Sequence, residues 1–480
     1  MPDEHIPRIV IIGGGISGLA TAYCLLEQCH ETGEQFDLTL LESGPRLGGV
    51  IHTSERDGFL IETGADSFIS EKPQAVSLAN RLGLESRLIE TNEQFRRSFI
   101  VRRGKLRPVP EGFQLLAPTR FWPFVTTDIF SWPGKFRMAL ELLVPRREHA
   151  NGNNDESLAD FVRRRLGREA FERMAQPMIG GIYTADPEKL SLRATLPRFL
   201  EMERHHGSVI RAMWQQRRQN SQQTGVSGAR YSLFLSFDRG MQVLVDELAA
   251  RLKSITKVSC PVESITFDTE KREWAVRLKN QTLITADYVC LAVPAYAAAQ
   301  IVAGTDAALA QLLNRITYAS TATINLAYRR RDVAHALNGF GFVVPFVERR
   351  SILACTFSSV KFSGRAPEDY VLLRAFAGGA LQPEIFDLDE HELLNHTCDD
   401  LRDLLGINHP PLFSIVQKWQ RSMPQYHVGH LELVSLIKSR LNMRPGLSLA
   451  GNSYDGAGVP DCIRSGEQAA AEILSQFGRR

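Results

Sequence analysis

The chain has 480 residues, more than one compact core accommodates, which predicts two or three domains. Its apolar share of 44%, charged share of 23% and 36 glycines are typical of an ordered α/β protein and exclude a disordered chain. The net charge of +2 gives no global reason to expect nucleic acid. Seven scattered cysteines without a CxxC pair, and twelve histidines without HxH or HxxxH spacing, predict reduced thiols in a cytoplasmic setting and no metal site.

The first forty residues predict a βαβ unit. Residues 8–12 are an apolar β-branched run, residues 16–28 have helical periodicity, and residues 36–42 are a second strand-like run. The charge-free run 9–26 has about the length of a membrane span, and Arg8 precedes it as in a signal peptide. Four glycines interrupt this run, so a strand, a tight turn and a buried helix explain it better.

The turn between the first strand and the helix carries GxGxxG, the glycine fingerprint of a dinucleotide site. Its glycines allow the tight turn, the approach of the backbone to a pyrophosphate, and the packing of helix on strand. The free N–H groups at the helix start favour the diphosphate, and Glu42, at the end of the second strand, is suited to accept hydrogen bonds from ribose hydroxyls. The predicted contacts are Gly13, Gly14, Gly15, Ile16, Ser17, Gly18, Glu42 and Ser43.

Glycine-rich turns recur elsewhere in the chain. Residues 46–49 and 64–67 are two such turns, with predicted strands at 51–53 and 59–62 between them. At the far end, a predicted strand at 447–450 leads into a glycine-rich turn and a final helix at 463–477. A closing helix placed after such a turn predicts that this end of the chain returns to the same cofactor and directs a second helix N-terminus at it.

The middle of the chain has a different character. From about residue 72 to 215 it is rich in aromatic residues, prolines and arginines with helical periodicity, including a helix at 157–166 with Ser157 as N-cap. Residues 151–156 and 215–228 are predicted to be exposed polar loops. Further strands are predicted at 258–267, 274–278, 288–293, 323–328, 340–345 and 370–377.

Three segments carry a resemblance to a known family. Residues 180–191 (GGIYTADPEKLS), 197–203 (PRFLEME) and 450–463 (AGNSYDGAGVPDCI) closely resemble oxygen-dependent protoporphyrinogen oxidases and their coproporphyrinogen-oxidising relatives, which are FAD enzymes of the amine-oxidase superfamily. The resemblance covers nearly the whole chain. It implies a non-covalent FAD, a porphyrinogen substrate of haem biosynthesis and O2 as the acceptor.

The resemblance also implies further cofactor contacts. By position, Val262 is similar to a valine whose backbone meets the adenine, and Trp419 is similar to a tryptophan beside the flavin. Core packing is the alternative interpretation of both residues. The remaining implied contacts are Arg46, Gly48, Gly49, Gly64, Ala65, Asp66, Ser67, Gly451, Gly456, Ala457, Gly458 and Val459.

The predicted fold class is α/β, with a discontinuous Rossmann-type FAD-binding domain because cofactor motifs lie at both ends and in the middle. The resemblance adds an inserted mixed α+β substrate domain and a mainly helical membrane-contacting domain. The FAD-binding domain is expected at 1–72, 230–305 and 415–480, the substrate domain at 73–95, 205–229 and 306–414, and the helical domain at 96–204.

A cluster of cations precedes the helical region. The six are Arg96, Arg97, Arg102, Arg103, Lys105 and Arg107. A solvated surface is the usual meaning of such a run, yet porphyrinogens carry propionates, and guanidinium groups bind carboxylates in bidentate fashion. Arg97 resembles by position the arginine that contacts a propionate in mitochondrial-type members, which Gram-positive relatives that prefer coproporphyrinogen tend to lack. The sequence therefore modestly favours protoporphyrinogen IX, with coproporphyrinogen III as the alternative.

Residues 113–147 mix tryptophans and phenylalanines with basic residues, as interfacial surfaces do. The composition and the resemblance predict a cytoplasmic protein attached peripherally to the inner face of the cell membrane. A cover over a hydrophobic active site is the alternative. A homodimer and a contact with ferrochelatase or another haem-pathway enzyme are further partners to test.

The chemistry implied by the resemblance is hydride removal from a saturated meso carbon of the tetrapyrrole, with proton loss, tautomerisation and reoxidation by O2 in three two-electron rounds that release H2O2. We identify no catalytic side chain from the sequence, because the flavin performs the difficult step. An amine oxidase, a carotenoid desaturase, or a non-catalytic relative of the Rab-escort type that binds protein and prenyl groups are the competing interpretations. The segment 180–203 and the arginine cluster favour the porphyrinogen oxidase over the first two, and the intact C-terminal motif favours it over the third.

Overall fold

The computed structural model describes residues 6–114, 117–118, 120–147, 155–223 and 234–477. A parallel sheet joins strands that are distant in sequence. In spatial order its strands are Thr256–Lys257, Asp37–Leu41, Arg8–Ile12, Tyr288–Leu291 and Leu447–Leu449. The predicted βαβ unit is confirmed, with its helix at Ile16–Thr32. The sheet thus takes strands from the beginning, the middle and the end of the chain.

Both faces of the parallel sheet are buried. Successive side chains of a strand point to opposite faces, so each strand contributes to two cores. Ile9 and Ile11 pack against the first and last long helices, whereas Val10 and Ile12 pack against a second layer. That layer contains an antiparallel sheet of Val262–Asp268, Glu273–Leu278 and Leu283–Ala286.

A seven-stranded, mostly antiparallel sheet forms the other large layer. In spatial order its strands are Phe413–Pro424, Tyr318–Arg329, Tyr370–Gly378, Ile352–Phe357, Gly341–Val343, Ser98–Arg102 and Lys105–Pro108. Ile324, Leu373 and Leu401 belong to a core between one face of this sheet and the helix Glu390–Leu405. The opposite face carries Thr323 and Asn325, which hydrogen-bond to the backbone of residues 62 and 63.

Smaller elements complete the described part of the chain. Short sheets pair Thr53–Arg56 with Phe59–Glu62, Phe113–Gln114 with Ala117–Pro118, and Phe234–Phe237 with Phe68–Ile69 and Leu88–Glu90. The longer helices not yet given are Gln74–Arg81, Trp132–Ala139, Leu158–Arg165, Gln176–Tyr183, Pro197–His206, Val209–Gln223, Gln242–Arg251, Ala295–Val302, Ala307–Asn314, His430–Leu441 and Val459–Leu474. The shorter ones are Phe121–Thr126, Arg168–Ala170, Leu192–Thr195, Ser358–Lys361 and Pro383–Asp387.

A buried ion pair stabilises the helical region. The Arg165 guanidinium Nε donates to Glu141 Oε1 at 2.8 Å, and both side chains are fully buried. Glu141 also accepts from the backbone N–H of Val209 at 2.9 Å and so closes the start of the helix Val209–Gln223. The predicted N-cap Ser157 is confirmed, since its hydroxyl accepts from the Asp160 N–H.

Some predicted elements are wrong. The strand expected at 51–53 lies at Thr53–Arg56, because Ile51 N–H closes a turn on the Gly48 carbonyl. The strand expected at 258–267 begins only at Val262, because Ser259 adopts a left-handed conformation and Pro261 lacks an N–H; the short strand Thr256–Lys257 ends before the expected start. The exposed loop expected at 215–228 is helical to residue 223, and residues 224–228 lie outside the described part.

The exposure expected for the loop 151–156 is wrong at its described end, although residues 155–156 do lie outside helices and strands. Residues 151–154 lie outside the described part, whereas Glu156 is buried because it pairs with Arg164 and Arg147. Sheet membership also differs from the expected domain bounds. The strands Ser98–Arg102 and Phe413–Pro424 both belong to the seven-stranded sheet, although the bounds put the first in the helical domain and begin the last FAD-binding segment at 415.

Candidate active site

The GxGxxG turn has the geometry that a nucleotide diphosphate requires. Gly13 has a φ of +113°, and a Cβ on it would lie 2.4 Å from the Ala292 carbonyl oxygen. A Cβ on Gly18 would lie 1.9 Å from the Gly13 carbonyl, so helix and strand are in direct contact there. Apart from its chain neighbours and its own helix backbone, no atom of the described residues lies within 4 Å of the Gly15 Cβ position, so the turn is open at the start of the helix. Gly15 is also the helix N-cap and has no capping side chain.

Glu42 closes the opposite side of this turn. Its carboxylate accepts hydrogen bonds from the Gly14 and Gly44 N–H groups, both at 2.7 Å, and from the Ser43 hydroxyl at 3.1 Å. A carboxylate has about four acceptor positions, so these three donors leave one for a ribose hydroxyl. The Cys260 N–H donates to the Glu42 carbonyl at 2.8 Å, which brings Val262, two residues further on, to the same side.

The loop after Glu42 adjoins the GxGxxG turn. The Gly48 N–H donates to the Gly14 carbonyl at 2.8 Å. The Arg46 guanidinium donates to carbonyls of its own loop, at Gly49 and Ile51, so its structural role is to hold the loop shape. A Cβ on Gly64 would lie 1.5 Å from the Val50 carbonyl oxygen. The GxGxxG turn and the turn 46–49 are therefore in contact, and Gly64 packs on the residue that directly follows the second turn.

The C-terminal turn reaches the same place. The Thr21 hydroxyl donates to the Gly466 carbonyl at 3.1 Å, which joins the first long helix to the last. The last helix begins after Gly458, which has no capping side chain. Gly456 has a φ of +139° and lies against the Asp461 side chain, and the Gly451 N–H donates to Ser465 Oγ. Ala457 and Val459 flank the helix start.

Two helix N-termini without capping side chains thus converge with a strand-end carboxylate. Uncapped N–H groups and the positive ends of helix dipoles suit a diphosphate and an electron-rich ring system, and Glu42 suits a ribose. A Gly15 turn without steric obstruction provides room for the diphosphate. The residues present therefore fit FAD. Ile16 and Ser17 are buried at the start of the first helix, so they would contribute through their backbone.

The seven-stranded sheet holds the backbone of residues 62–67, here called segment 62–67. Thr323 Oγ1 and Trp419 Nε1 both donate to the Thr63 carbonyl, at 2.7 Å and 2.9 Å. Asn325 donates to the Glu62 carbonyl at 3.2 Å, and the Arg374 guanidinium donates to the Gly64 carbonyl. Trp419 is half-buried and fixes this segment, so simple core packing does not describe it.

Two charged side chains that sequence reasoning missed contact segment 62–67. Lys361 Nζ lies 3.0 Å from Asp66 Oδ2 and 3.0 Å from Ser67 Oγ, and Arg374 lies 3.8 Å from Asp66 Oδ2. Burial alone would raise the pKa of the Asp66 carboxyl, but Lys361 and Arg374 hold it well below its usual range. No signal local to either cation could have revealed a partner about 300 residues away in sequence.

Glu62, at the start of the same segment, is a buried carboxyl. Burial raises its pKa to about 7, although it accepts from the Thr53 hydroxyl at 2.7 Å and from the Met241 N–H at 2.8 Å. These two bonds fix the start of the helix Gln242–Arg251. Val245 of that helix contacts the Cβ position of Gly48. Glu62 therefore helps to position the turn 46–49 through this helix.

The cations of the arginine cluster differ in whether a carboxylate pairs with them. Arg96 pairs with Glu93 at 3.0 Å, and Arg107 pairs with Asp128 at 3.0 Å. Arg97 is exposed where the strand Ser98–Arg102 begins, and no carboxylate in the described part of the chain pairs with it. Its guanidinium is therefore available to a carboxylate ligand.

Residues 16–474 match the model of the family described as flavin containing amine oxidoreductase. The chain belongs to this family. It is an FAD-dependent oxidoreductase, as the converging glycine segments and the family match together establish. The predicted cofactor is thereby confirmed.

Three proteins illustrate the similarity within the family. The coproporphyrinogen III oxidase of Bacillus subtilis is 36% identical, with 98% of each chain covered. The chloroplastic protoporphyrinogen oxidase of Nicotiana tabacum is 31% identical over 98% of this chain and 86% of its own. The crystal structure of a putative protoporphyrinogen oxidase from an Exiguobacterium species superposes with a TM-score of 0.85 at 30% identity, covering 98% of this chain and 99% of that one. The resemblance predicted from the motifs is confirmed.

Proposed function

We propose that this chain oxidises a porphyrinogen to the corresponding porphyrin in haem biosynthesis, with O2 as the final acceptor and H2O2 as the by-product. Three rounds, each removing two electrons, convert the saturated meso carbons to an aromatic ring. Protoporphyrinogen IX is the first candidate substrate. Coproporphyrinogen III is the second, because the Bacillus subtilis relative that shares 36% identity carries that name.

One observation carries the proposal: Tyr426 links the segment 180–191, which resembles porphyrinogen oxidases, to the C-terminal glycine turn. The Ser191 N–H donates to the Tyr426 carbonyl at 2.7 Å, and the Tyr426 hydroxyl donates to the Asn452 carbonyl. The segment most similar to porphyrinogen oxidases therefore lies one residue away from the turn that would hold the flavin.

The same motif packs on the seven-stranded sheet. A Cβ on Gly181 would lie 3.7 Å from Val343, and the Ala380 N–H donates to the Thr184 carbonyl at 2.9 Å. We place the tetrapyrrole between this motif, the sheet face that carries Trp419 and segment 62–67. In that position the substrate would contact the same sheet face whose side chains hold segment 62–67.

Bound FAD would accept the hydride equivalent from the meso carbon. The chain's own part is to bind and orient: the GxGxxG turn and Glu42 hold the nucleotide, and segment 62–67 and the helix start at Val459 border the ring. Arg97 would anchor a propionate. Because each oxidation lengthens the conjugated system, proton loss to solvent completes each round without a dedicated side-chain base.

Aerobic turnover with both porphyrinogens tests the proposal. The purified protein should carry flavin and should produce fluorescent porphyrin and peroxide faster than the uncatalysed control. The ratio of kcat/KM for the two substrates decides between the two candidates. A protein that carries flavin yet accelerates neither reaction contradicts the porphyrinogen assignment.

We also propose the domain division expected from the sequence, with the strands Ser98–Arg102 and Phe413–Pro424 moved to the substrate domain and residues near 120–147 as a membrane-contacting surface. Trp122, Trp132, Phe136 and Leu143 are 68–78% exposed. Such rings beside basic residues suit the headgroup depth of a bilayer. In the described part of the chain no helix is both long and apolar enough to cross a membrane.

Vesicle sedimentation tests the surface. The wild-type protein should sediment with vesicles that contain anionic lipid, and a Trp122→Ser, Trp132→Ser double variant should stay in the supernatant. Leu436→Ser, which changes a 51% exposed leucine on another helix, is the matched control. We further propose attachment to the inner face of the cell membrane, which cell fractionation would test. We also propose a homodimer, which light scattering would test, and a contact with ferrochelatase, which a pull-down would test.

A further inference from the structure

Segment 62–67 lies against two poorly exposed cations, Lys361 and Arg374, and a third, Arg365, reaches it through Ser236, whose hydroxyl donates to the Asp66 carbonyl. The side chains of Lys361 and Arg374 are 11% and 4% exposed, and Arg365 is 2% exposed. Two carboxylates, Glu62 and Asp66, belong to the segment itself. Burying several cations costs free energy unless nearby negative charge compensates them. The net charge around segment 62–67 is therefore worth counting.

Lys361 and Arg374 contact segment 62–67 directly. Lys361 Nζ donates to Asp66 Oδ2 and Ser67 Oγ, both at 3.0 Å. The Arg374 guanidinium donates to the Gly64 carbonyl and lies 3.8 Å from Asp66, and its Nε has no hydrogen-bond partner in the described part of the chain. Asp66 is therefore the common counter-charge of both cations.

The negative charge does not balance the positive charge. Arg365 donates to the carbonyls of Phe237 and Asp238 and to the Ser236 hydroxyl. No carboxylate in the described part forms an ion pair with it, and the Asp238 carboxylate, which also acts on it, is itself paired with Arg87. Burial raises the pKa of Glu62 to about 7, so near neutral pH this carboxyl carries only part of a charge. With Asp238 paired to Arg87, the charges of Lys361, Arg374 and Arg365 thus exceed those of Asp66 and the partly ionised Glu62.

We infer that Lys361 and Arg374 are positioning residues that raise the reduction potential of the flavin by presenting net positive charge through segment 62–67. The inference rests on the proposed function, in which this segment borders the flavin ring. Two-electron reduction of the bound ring near neutral pH consumes two electrons and one proton and leaves one negative charge on it. Positive charge held nearby in a poorly solvated site stabilises that product more than the neutral oxidised ring.

The midpoint potential of the bound flavin, measured by equilibration with a reference dye during slow enzymatic reduction, tests this inference. Lys361→Met should lower the potential relative to wild type. Lys361→Arg keeps the charge and should keep the potential near the wild-type value. Lys253→Met removes an exposed lysine at the end of the helix Gln242–Arg251 and serves as the matched control, with no change expected.

Asp66→Asn provides a test of opposite sign. It keeps hydrogen-bonding groups for Ser67 and removes the counter-charge, so the potential should rise. This variant decides the question if Lys361→Met loses its flavin. Flavin-loaded variants whose potentials equal that of the wild type would overturn the inference and leave the cluster with a purely structural role.

The failure of this inference is distinguishable from the failure of the proposed function. A wild-type protein that carries no flavin, or that oxidises neither porphyrinogen, contradicts the proposed function. A wild-type protein that carries flavin and oxidises a porphyrinogen, but whose potential is insensitive to Lys361 and Asp66, contradicts only the inference.

Discussion

The Thr21 hydroxyl donates a hydrogen bond to the Gly466 carbonyl across a sequence separation of 445 residues. A Cβ on Gly466 would lie 2.4 Å from the Ser17 carbonyl, so glycine is needed for this close approach. The contact joins the two helices whose uncapped N-termini border the proposed cofactor site. It explains how the two ends of the chain can serve one cofactor.

Gly15→Val should abolish FAD binding without unfolding the protein. The Gly15 Cβ position has no atom within 4 Å, so the valine is accommodated by the protein but occupies the space proposed for the diphosphate. The flavin content of the purified variant is the measurement, and circular dichroism confirms the fold. Gly304→Val is the control, since Gly304 also has free space at its Cβ but lies on the surface. Normal flavin content in Gly15→Val would contradict the assignment of the turn.

Glu62→Gln should flatten the dependence of stability on pH. In the folded state the pKa of Glu62 is about 7, against an ordinary value of 4.5, so the folded protein retains a proton that the unfolded chain has lost between these values. The free energy of unfolding contributed by this group therefore falls as pH rises from about 4.5 to about 7, by about 3 kcal/mol in total. Denaturation at several pH values compares the slopes. Equal slopes for wild type and variant would show that Glu62 titrates normally.

Arg97→Ala should raise KM for the preferred porphyrinogen and leave kcat nearly unchanged, because a propionate anchor binds substrate and transition state alike. Arg103→Ala removes another exposed cation of the same hairpin and serves as the control. Steady-state kinetics with both porphyrinogens is the measurement. An unchanged KM in Arg97→Ala would reduce Arg97 to a surface charge.

Arg165→Met should destabilise the helical region by about 3–5 kcal/mol, because it leaves the fully buried Glu141 carboxylate without its cation. Arg168→Met is the matched control: Arg168 is 83% exposed and pairs with Glu172 on the same helical surface, so its loss should cost about 0.5 kcal/mol or less. Chemical denaturation of both variants measures the difference. Similar stabilities would refute the role of the buried pair.

The sequence predicts the first βαβ unit well because its signals are local. A β-branched run, three glycines at fixed spacing and a strand-end acid all lie within forty residues, and the structure has the strands Arg8–Ile12 and Asp37–Leu41 paired in parallel. The C-terminal glycine turn is likewise visible in sequence, because φ values such as +139° at Gly456 require glycine.

Much of the site's support is not predictable in this way. Lys361 and Arg374 lie in ordinary helical and strand sequence, and only the fold brings them to Asp66. The strand Phe413–Pro424, which presents Trp419, mixes polar and apolar residues because both of its faces are partly solvated. Similarly, Pro261 and the left-handed Ser259 interrupt a run whose composition alone resembles one strand.

The central claim is that one flavin, held by both ends of the chain, is reduced by a porphyrinogen. Anaerobic mixing of the oxidised, flavin-loaded protein with each porphyrinogen tests it most directly. The account predicts rapid loss of the visible flavin absorbance with at least one porphyrinogen, and its return with porphyrin fluorescence once O2 is admitted. A bound flavin that stays oxidised with both porphyrinogens would contradict it.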